Sequence, residues 1–296
     1  MKVLLTGSSG QLGRSIQENK PLDVDLINVS RSDLDLANAD SCREAVYYFR
    51  PDWVINAAAF TAVDQAESES ELAYLINAVA PKVFATALED IGSRLLQIST
   101  DFVFNGHQGF PYKVDQKVNP LSVYGSSKAA GEFAALKCPG SYVLRTSWLY
   151  SPIRNNFLKT MLKLHQKKSE LGDPLNVVSD QVGCPTSAHT LALASWRIIL
   201  LNRYFKDHCI FHWTDAGVAS WYDFAVAIGE IANEMGLLQK MAEVNPISTS
   251  EYPTPANRPS FSLLDCKSSV AILGLSQLHW KRSLSDVLNQ MRLGYP

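Results

Sequence analysis

The sequence predicts an α/β fold, a doubly wound parallel sheet with a smaller carboxy-terminal lobe, and three observations carry that expectation. Short β-branched or leucine-rich runs alternate with stretches of helical period through the first half. Two of those runs, WVINAAA and RLLQIST, are apolar on both faces, as strands covered by helices on either side must be. The first run, VLLTG, leads straight into a glycine-rich turn, GSSGQLG, that opens a helix.

In chain order, VLLTG is the first strand, followed by a helix from about Leu12, and DLINVS is the second, followed by a helix from Ser41. WVINAAA precedes a longer helical stretch, and RLLQIST precedes another helix and the strand YVLRTSW. Beyond Tyr150 the alternation loosens. NNFLKTMLKLHQKK reads as a helix, LNVVSDQVG as a strand, HTLALASWRIILL as a helix, CIFHWT as a strand and WYDFAVAIGEIANEMG as an amphipathic helix. PISTSEYPTPANRP, rich in proline, serine and threonine, reads as an ordered loop on the ligand side of the carboxy-terminal half. The expected division is a sheet domain over residues 1–150, continued by about 175–215, and a second lobe from 151–174 and 216–296.

Composition removes several functional classes. The 296 residues hold 27 lysines and arginines against 29 aspartates and glutamates, and a net charge of -2 leaves no electrostatic footprint for nucleic acid or an anionic membrane. Five cysteines, Cys42, Cys138, Cys184, Cys209 and Cys266, are far apart and never in a CxxC pair, so reduced thiols are expected rather than a disulfide framework. The amino terminus has too short an apolar run for a signal peptide, and LALASWRIILL is too short to span a bilayer, so the expected location is the cytoplasm. His208, Cys209 and His212 do not make a metal site on a strand: the two histidines share a face but lie too far apart, and the cysteine points away.

The glycine turn is the first candidate site. Gly7 permits a tight turn, Gly10 lets backbone approach a pyrophosphate, and Gly13 allows close packing of helix on strand, with phosphate at the positive helix end. A Rossmann-type dinucleotide site is therefore expected. Where an NAD-binding chain usually carries an acid after the second strand, this one has Ser30 and Arg31, a pair suited to the 2′-phosphate of NADPH. Asp33 and Asp35 lie close by and keep NADH possible.

The second candidate site is VYGSSKAAGE, with Tyr124 and Lys128 four residues apart in a segment expected to be helical from Ser126, so that both fall on one face. An ammonium group close to a phenol favours its ionised form and tunes it for proton transfer. Thr100, at the end of RLLQIST, places a hydroxyl at the carboxyl edge of the sheet, where it can hydrogen-bond a substrate oxygen.

The succession GSSGQLG, NAAAFTAVDQAE, STDFVF, VYGSSKAAGE, RTSWLY, NNF, DQVGCPT and YPTPANRP resembles the dTDP-4-dehydrorhamnose reductase family of extended short-chain dehydrogenases over nearly the whole chain. The resemblance implies hydride transfer from NADPH to C4 of a 4-keto sugar nucleotide, the last step towards dTDP-L-rhamnose. It implies Tyr124 as proton donor, Lys128 as its electrostatic partner, and Thr100 with Asp101 as sugar contacts, with Trp148 lining the sugar pocket. Gly10, Gln11 and Leu12 would hold the pyrophosphate, Asp35 and Leu36 the adenine side, Ala57, Ala58 and Ala59 a strip beside the cofactor, and Arg258 a diphosphate.

Some members are dimers bridged by magnesium, which leaves a homodimer possible. Ser15 and His189 stand in the matching neighbourhoods, and no magnesium is expected there. Phe261 also replaces an asparagine of the pattern. Two rivals share the fold, a non-catalytic NADP-binding regulatory subunit and an NDP-sugar epimerase or dehydratase that keeps and recycles its cofactor.

Overall fold

The computed structural model describes residues 1–201 and 209–294. Six strands, β1 (Lys2–Thr6), β2 (Asp25–Val29), β3 (Trp53–Asn56), β4 (Arg94–Thr100), β5 (Tyr142–Thr146) and β10 (Ile210–His212), form one parallel sheet in the order β10-β5-β4-β3-β1-β2. The chain winds one way from β1 to β2 and the other way from β3 onward, so the switch lies between β1 and β3.

Alternation along the strands explains the two helical layers. Val3, Leu5, Trp53, Ile55, Leu96 and Leu144 face one side, against α1 (Gln11–Glu18) and α8 (Ala188–Leu201). Leu4, Val54 and Leu95 face the other, against α2 (Ala39–Phe49) and α5 (Ala80–Asp90). Each such side chain, fully removed from water, contributes about 1.5–3 kcal/mol. The two helices expected from Leu12 and Ser41 start one and two residues earlier, the second because Asn38 caps the amides of Asp40 and Ser41.

At the carboxyl edge a buried polar chain links three neighbouring strands. Thr6 donates to Asn56 Oδ1 at 2.6 Å, Asn56 Nδ2 to Gln97 Oε1 at 2.8 Å, and Gln97 Nε2 to the Ile98 carbonyl at 2.8 Å. These side chains are opposite one another in register, and each finds in its neighbour the partner that burial demands.

The long helical stretch is α3 (Val63–Ser68), α4 (Ser70–Tyr74), a π-helical turn (Leu75–Val79) and α5. Residues 70–90 are, contrary to the sequence expectation, apolar and long enough to cross a bilayer by composition, but half of that window is buried inside the fold. Stacking on the sheet accounts for its hydropathy.

The second lobe gathers around α7 (Phe157–Leu171), α9 (Trp221–Glu234) and α11 (Trp280–Arg292). LNVVSDQVG is two strands rather than one, β7 (Leu175–Val178) and β8 (Val182–Gly183). The first pairs with β12 (Val244–Ile247) and the second with β11 (Ala219–Ser220), so residues 175–183 pack with this lobe, where the sequence reading attached them to the sheet domain. Short strands β6 (Leu149–Tyr150) and β9 (Thr186–Ser187) pair at the junction, and α10 (Lys267–Leu273) packs back on α8.

Leu96→Ala removes a fully buried side chain from the centre of the sheet and is expected to lower unfolding free energy by about 2–5 kcal/mol in urea titration. A loss below about 1 kcal/mol would contradict this packing.

Candidate active site

A cleft of about 910 Å³ runs along the carboxyl edge of the sheet and over the junction with the second lobe. Except for Gly13, every site residue expected from the sequence lines it.

The glycine turn forms the floor at one end. Gly7 has φ +65°, and a Cβ there would sit 2.8 Å from the Ala58 amide nitrogen, so neither the backbone nor the space admits a side chain. A Cβ on Gly13 would collide with the Gly7 carbonyl, so its role is to seat α1 on the turn, outside the cleft. Gly10 precedes α1, whose first turn carries no acid to cancel the positive helix end. Loop 57–62 lies alongside: Asn77, in the π-helical turn, accepts from the Phe60 amide and donates to its carbonyl and to Ser127 on α6 (Val123–Ala135). Asn77 thereby fixes the strip of Ala57, Ala58 and Ala59 against the helix that carries Tyr124.

Beyond β2, the Asp33 carboxylate accepts from the Ser30 amide at 2.8 Å and the Ser30 hydroxyl at 2.6 Å, and these bonds hold it below the usual carboxylate range. Asp33 is thus folded onto Ser30, while Arg31, exposed and in no ion pair among the described residues, lines the cleft with Asp35 and Leu36.

At the centre, α6 starts at Val123 rather than Ser126, because the Ser122 hydroxyl accepts from the Gly125 amide and Glu67 accepts from the Val123 amide. Tyr124 is therefore already in the first turn, with Lys128 one turn on. Burial pushes the Tyr124 phenol up to about 12, the Thr100 hydroxyl opposing and Asp101 adding to the rise. It is protonated at neutral pH, the form from which a keto oxygen can receive a proton.

Lys128 is buried and donates to the Ile98 carbonyl at 2.6 Å. Burial brings its ammonium down to about 8, partly opposed by Glu132 on the next turn. Glu132 in turn accepts from Arg145 Nε at 2.9 Å, Arg145 Nη2 at 2.7 Å and the Ser99 hydroxyl at 2.5 Å. His212 closes the back of this cluster 3.2 Å from Arg145, and burial together with that guanidinium lowers its imidazole to about 3. His212 is thus a neutral partner of Arg145; Cys209 is exposed just before β10, and His208 lies outside the described residues.

Thr100 donates to Asp101 Oδ1 at 2.9 Å and accepts from the Phe102 amide. Burial raises the Asp101 carboxyl to about 6. Burial is partly opposed at this carboxyl by the Ser262 and Thr100 hydroxyls; Asp101 Oδ2 and the Thr146 hydroxyl have no hydrogen bond among the described residues, and both residues line the cleft.

The far wall is aromatic. Trp148 stands at φ +47°, stacked on Trp221 at 3.6 Å and within 5° of parallel, and a Cβ on Gly183 would approach its indole to 2.9 Å. Arg258 lines the cleft too, with one nitrogen held by Asp64 Oδ2 at 2.7 Å. Thr146, Asn77 and Trp221 were not among the expected residues; RTSW and the tryptophan after the Ser220 helix cap were the only local signs of them. Ser15 and His189 meet at a separate recess of about 30 Å³ that Glu18 also lines.

The model for the RmlD substrate binding domain matches residues 1–293. A dTDP-4-dehydrorhamnose reductase of Aggregatibacter actinomycetemcomitans is 39% identical over 294 residues, 97% of this chain and 98% of the relative. The chain belongs to the dTDP-4-dehydrorhamnose reductase family. Among solved members, one from Clostridium acetobutylicum superposes with a TM-score of 0.89 at 39% identity, covering 99% of this chain and all of the other. Another, from Bacillus anthracis in complex with NADP, superposes at 0.88 with 33% identity, covering 98% and 99%. The glycine cradle, with no room for a Cβ at Gly7 or Gly13, and the unpartnered atoms of Asp101 and Thr146 fit the dinucleotide and polar substrate that a reductase of this family requires.

The folded value of Lys128, about 8, lies below the ordinary 10.5, so the fold disfavours its charge. That penalty is whole below pH 8 and fades as pH rises towards 10.5. Lys128→Met is therefore expected to raise stability at pH 7 by about 1–3 kcal/mol while abolishing turnover, with the gain shrinking from pH 8 to 10. A variant less stable than wild type at pH 7 would refute this assignment of the strain.

Proposed function

We propose that this chain reduces the C4 keto group of dTDP-4-dehydrorhamnose to give dTDP-L-rhamnose, with NADPH as reductant and Tyr124 as proton donor. The observation that carries the reading is the meeting of Thr100, Tyr124 and Lys128 in the same cleft as the glycine turn. NADPH supplies the hydride when bound. Gly7, Gly10, Gln11 and Leu12 would hold its pyrophosphate, Asp35 and Leu36 its adenine side, and Arg31 its 2′-phosphate, with the Asp33 carboxylate drawn aside by Ser30.

The keto oxygen lies within reach of the Thr100 hydroxyl and the Tyr124 phenol, which gives up its proton as negative charge develops on that oxygen. Lys128, charged at neutral pH, favours the phenolate so formed. Asp101 and Trp148 hold the sugar, the first through the unpartnered Oδ2 and the second through its ring face, and Arg258 reaches the diphosphate with the nitrogens Asp64 leaves free. The intact triad weighs against a purely regulatory NADP-binding role.

Loss of the phenol in Tyr124→Phe is expected to lower kcat by about 10²–10⁴-fold in an NADPH-oxidation assay with the 4-keto sugar nucleotide, leaving NADPH affinity intact. Undiminished turnover by this variant would remove Tyr124 as the acid. Arg31→Ala is expected to raise KM for NADPH about tenfold or more and leave that for NADH unchanged; an equal effect on both would dissociate Arg31 from the 2′-phosphate.

A further inference from the structure

Segment 151–156, the first stretch of the second lobe, is bound onto the glycine turn. Gln11 Oε1 accepts from the Ser151 hydroxyl at 2.9 Å and from Asn156 Nδ2 at 2.8 Å, and the Asn156 side chain also caps α7 through the Lys159 amide. Between them stands Arg154, at φ +59°, whose Nε donates to the Ser9 carbonyl at 2.9 Å. Only that one donor of its guanidinium is engaged by the protein in the described residues, and Arg154 makes no ion pair among them. It lines the cleft beside Ser9, Gly10 and Gln11.

A left-handed backbone is strained at a long side chain, and Asn or Gly would occupy the same turn more easily. The strain holds a cation at the positive end of α1, where no acid in the first helical turn balances it. Two positive features converging on one spot repel each other unless an anion lies between them.

We propose that Arg154 clamps the pyrophosphate of the dinucleotide cofactor at the Gly7–Gln11 turn, so that the second lobe supplies part of the cofactor site. This rests on the reading that the cleft binds NADPH. Arg31 and Arg258 are charged groups of the same cleft, but one stands after β2 and the other is tied to Asp64, so neither substitutes for a guanidinium anchored on Ser9. A planar fork with one nitrogen fixed on a carbonyl keeps the rest oriented for phosphate oxygens at little further cost in side-chain freedom.

The test is Arg154→Asn, which keeps the left-handed turn and removes the guanidinium, with dissociation constants measured by titration calorimetry for NADP⁺, 2′-AMP and dTDP. NADP⁺ is expected to weaken by about 10- to 100-fold, while 2′-AMP, which lacks the pyrophosphate, and dTDP, a probe of the sugar-nucleotide side, stay within about twofold. Unchanged NADP⁺ affinity overturns the inference, and so does weakened dTDP binding with NADP⁺ unaffected, which would give the guanidinium to the substrate's diphosphate. Equal weakening of 2′-AMP and NADP⁺ overturns it too. Wild-type protein that binds no NADP⁺ would instead overturn the cofactor reading itself.

Discussion

The active site depends on keeping one ammonium group, that of Lys128, out of water and in place. Taking a lysine charge into a fold is expensive, and here the expense is contained by a single carbonyl, that of Ile98, and by the carboxylate of Glu132 one helical turn away. Glu132 is itself tied by both oxygens to Arg145 and by one of them to Ser99. An ion pair this deep adds little to stability, because desolvation offsets most of its attraction. Its effect is positional: α6 is pinned to β4 and β5 at the level where Tyr124 and Thr100 face the cleft. Burial brings the lysine down to about 8, and it remains charged at neutral pH.

The second constraint is that neither lobe completes the cleft alone. Gln11 in the glycine turn is held by Ser151 and Asn156, and Asp64 at the start of α3 holds both the Ala256 amide and Arg258 from the loop before α10. The two sets of bonds join segments up to 194 residues apart. The Trp148–Trp221 stack packs on the second lobe's side.

The sheet was legible because parallel strands buried on both faces must be apolar at every position, and the glycine turn because few residues tolerate φ +65° beside a neighbouring backbone. Thr100, Tyr124 and Lys128 were picked out by residue type and spacing, and the fold brings all three to one cleft. What escaped depended on partners distant in sequence. The start of α6 is set by Glu67 as well as by Ser122, and the split of LNVVSDQVG follows from pairing with two strands that come later. Residues 175–183 pair with strands of the carboxy-terminal half for the same reason. Asn77 reads as an ordinary helical residue until Phe60 is placed against it, and Arg154 as a loop arginine until Ser9 is. The sequence reading expected Lys128 to draw down the Tyr124 phenol; in the fold burial raises it and the Thr100 hydroxyl, not Lys128, opposes the rise, which no spacing reveals.

As proposed, hydride passes from NADPH to C4 of the sugar while the protein supplies the proton. The most direct measurement is turnover with NADPH deuterated at the transferring position of the nicotinamide, followed by NMR of the sugar nucleotide product. Deuterium at C4 and at no other sugar carbon, with one equivalent of NADP⁺ formed, is the predicted result. A product without deuterium and a cofactor returned in its starting oxidation state would contradict the account and point to an internal hydride shuttle of the epimerase kind.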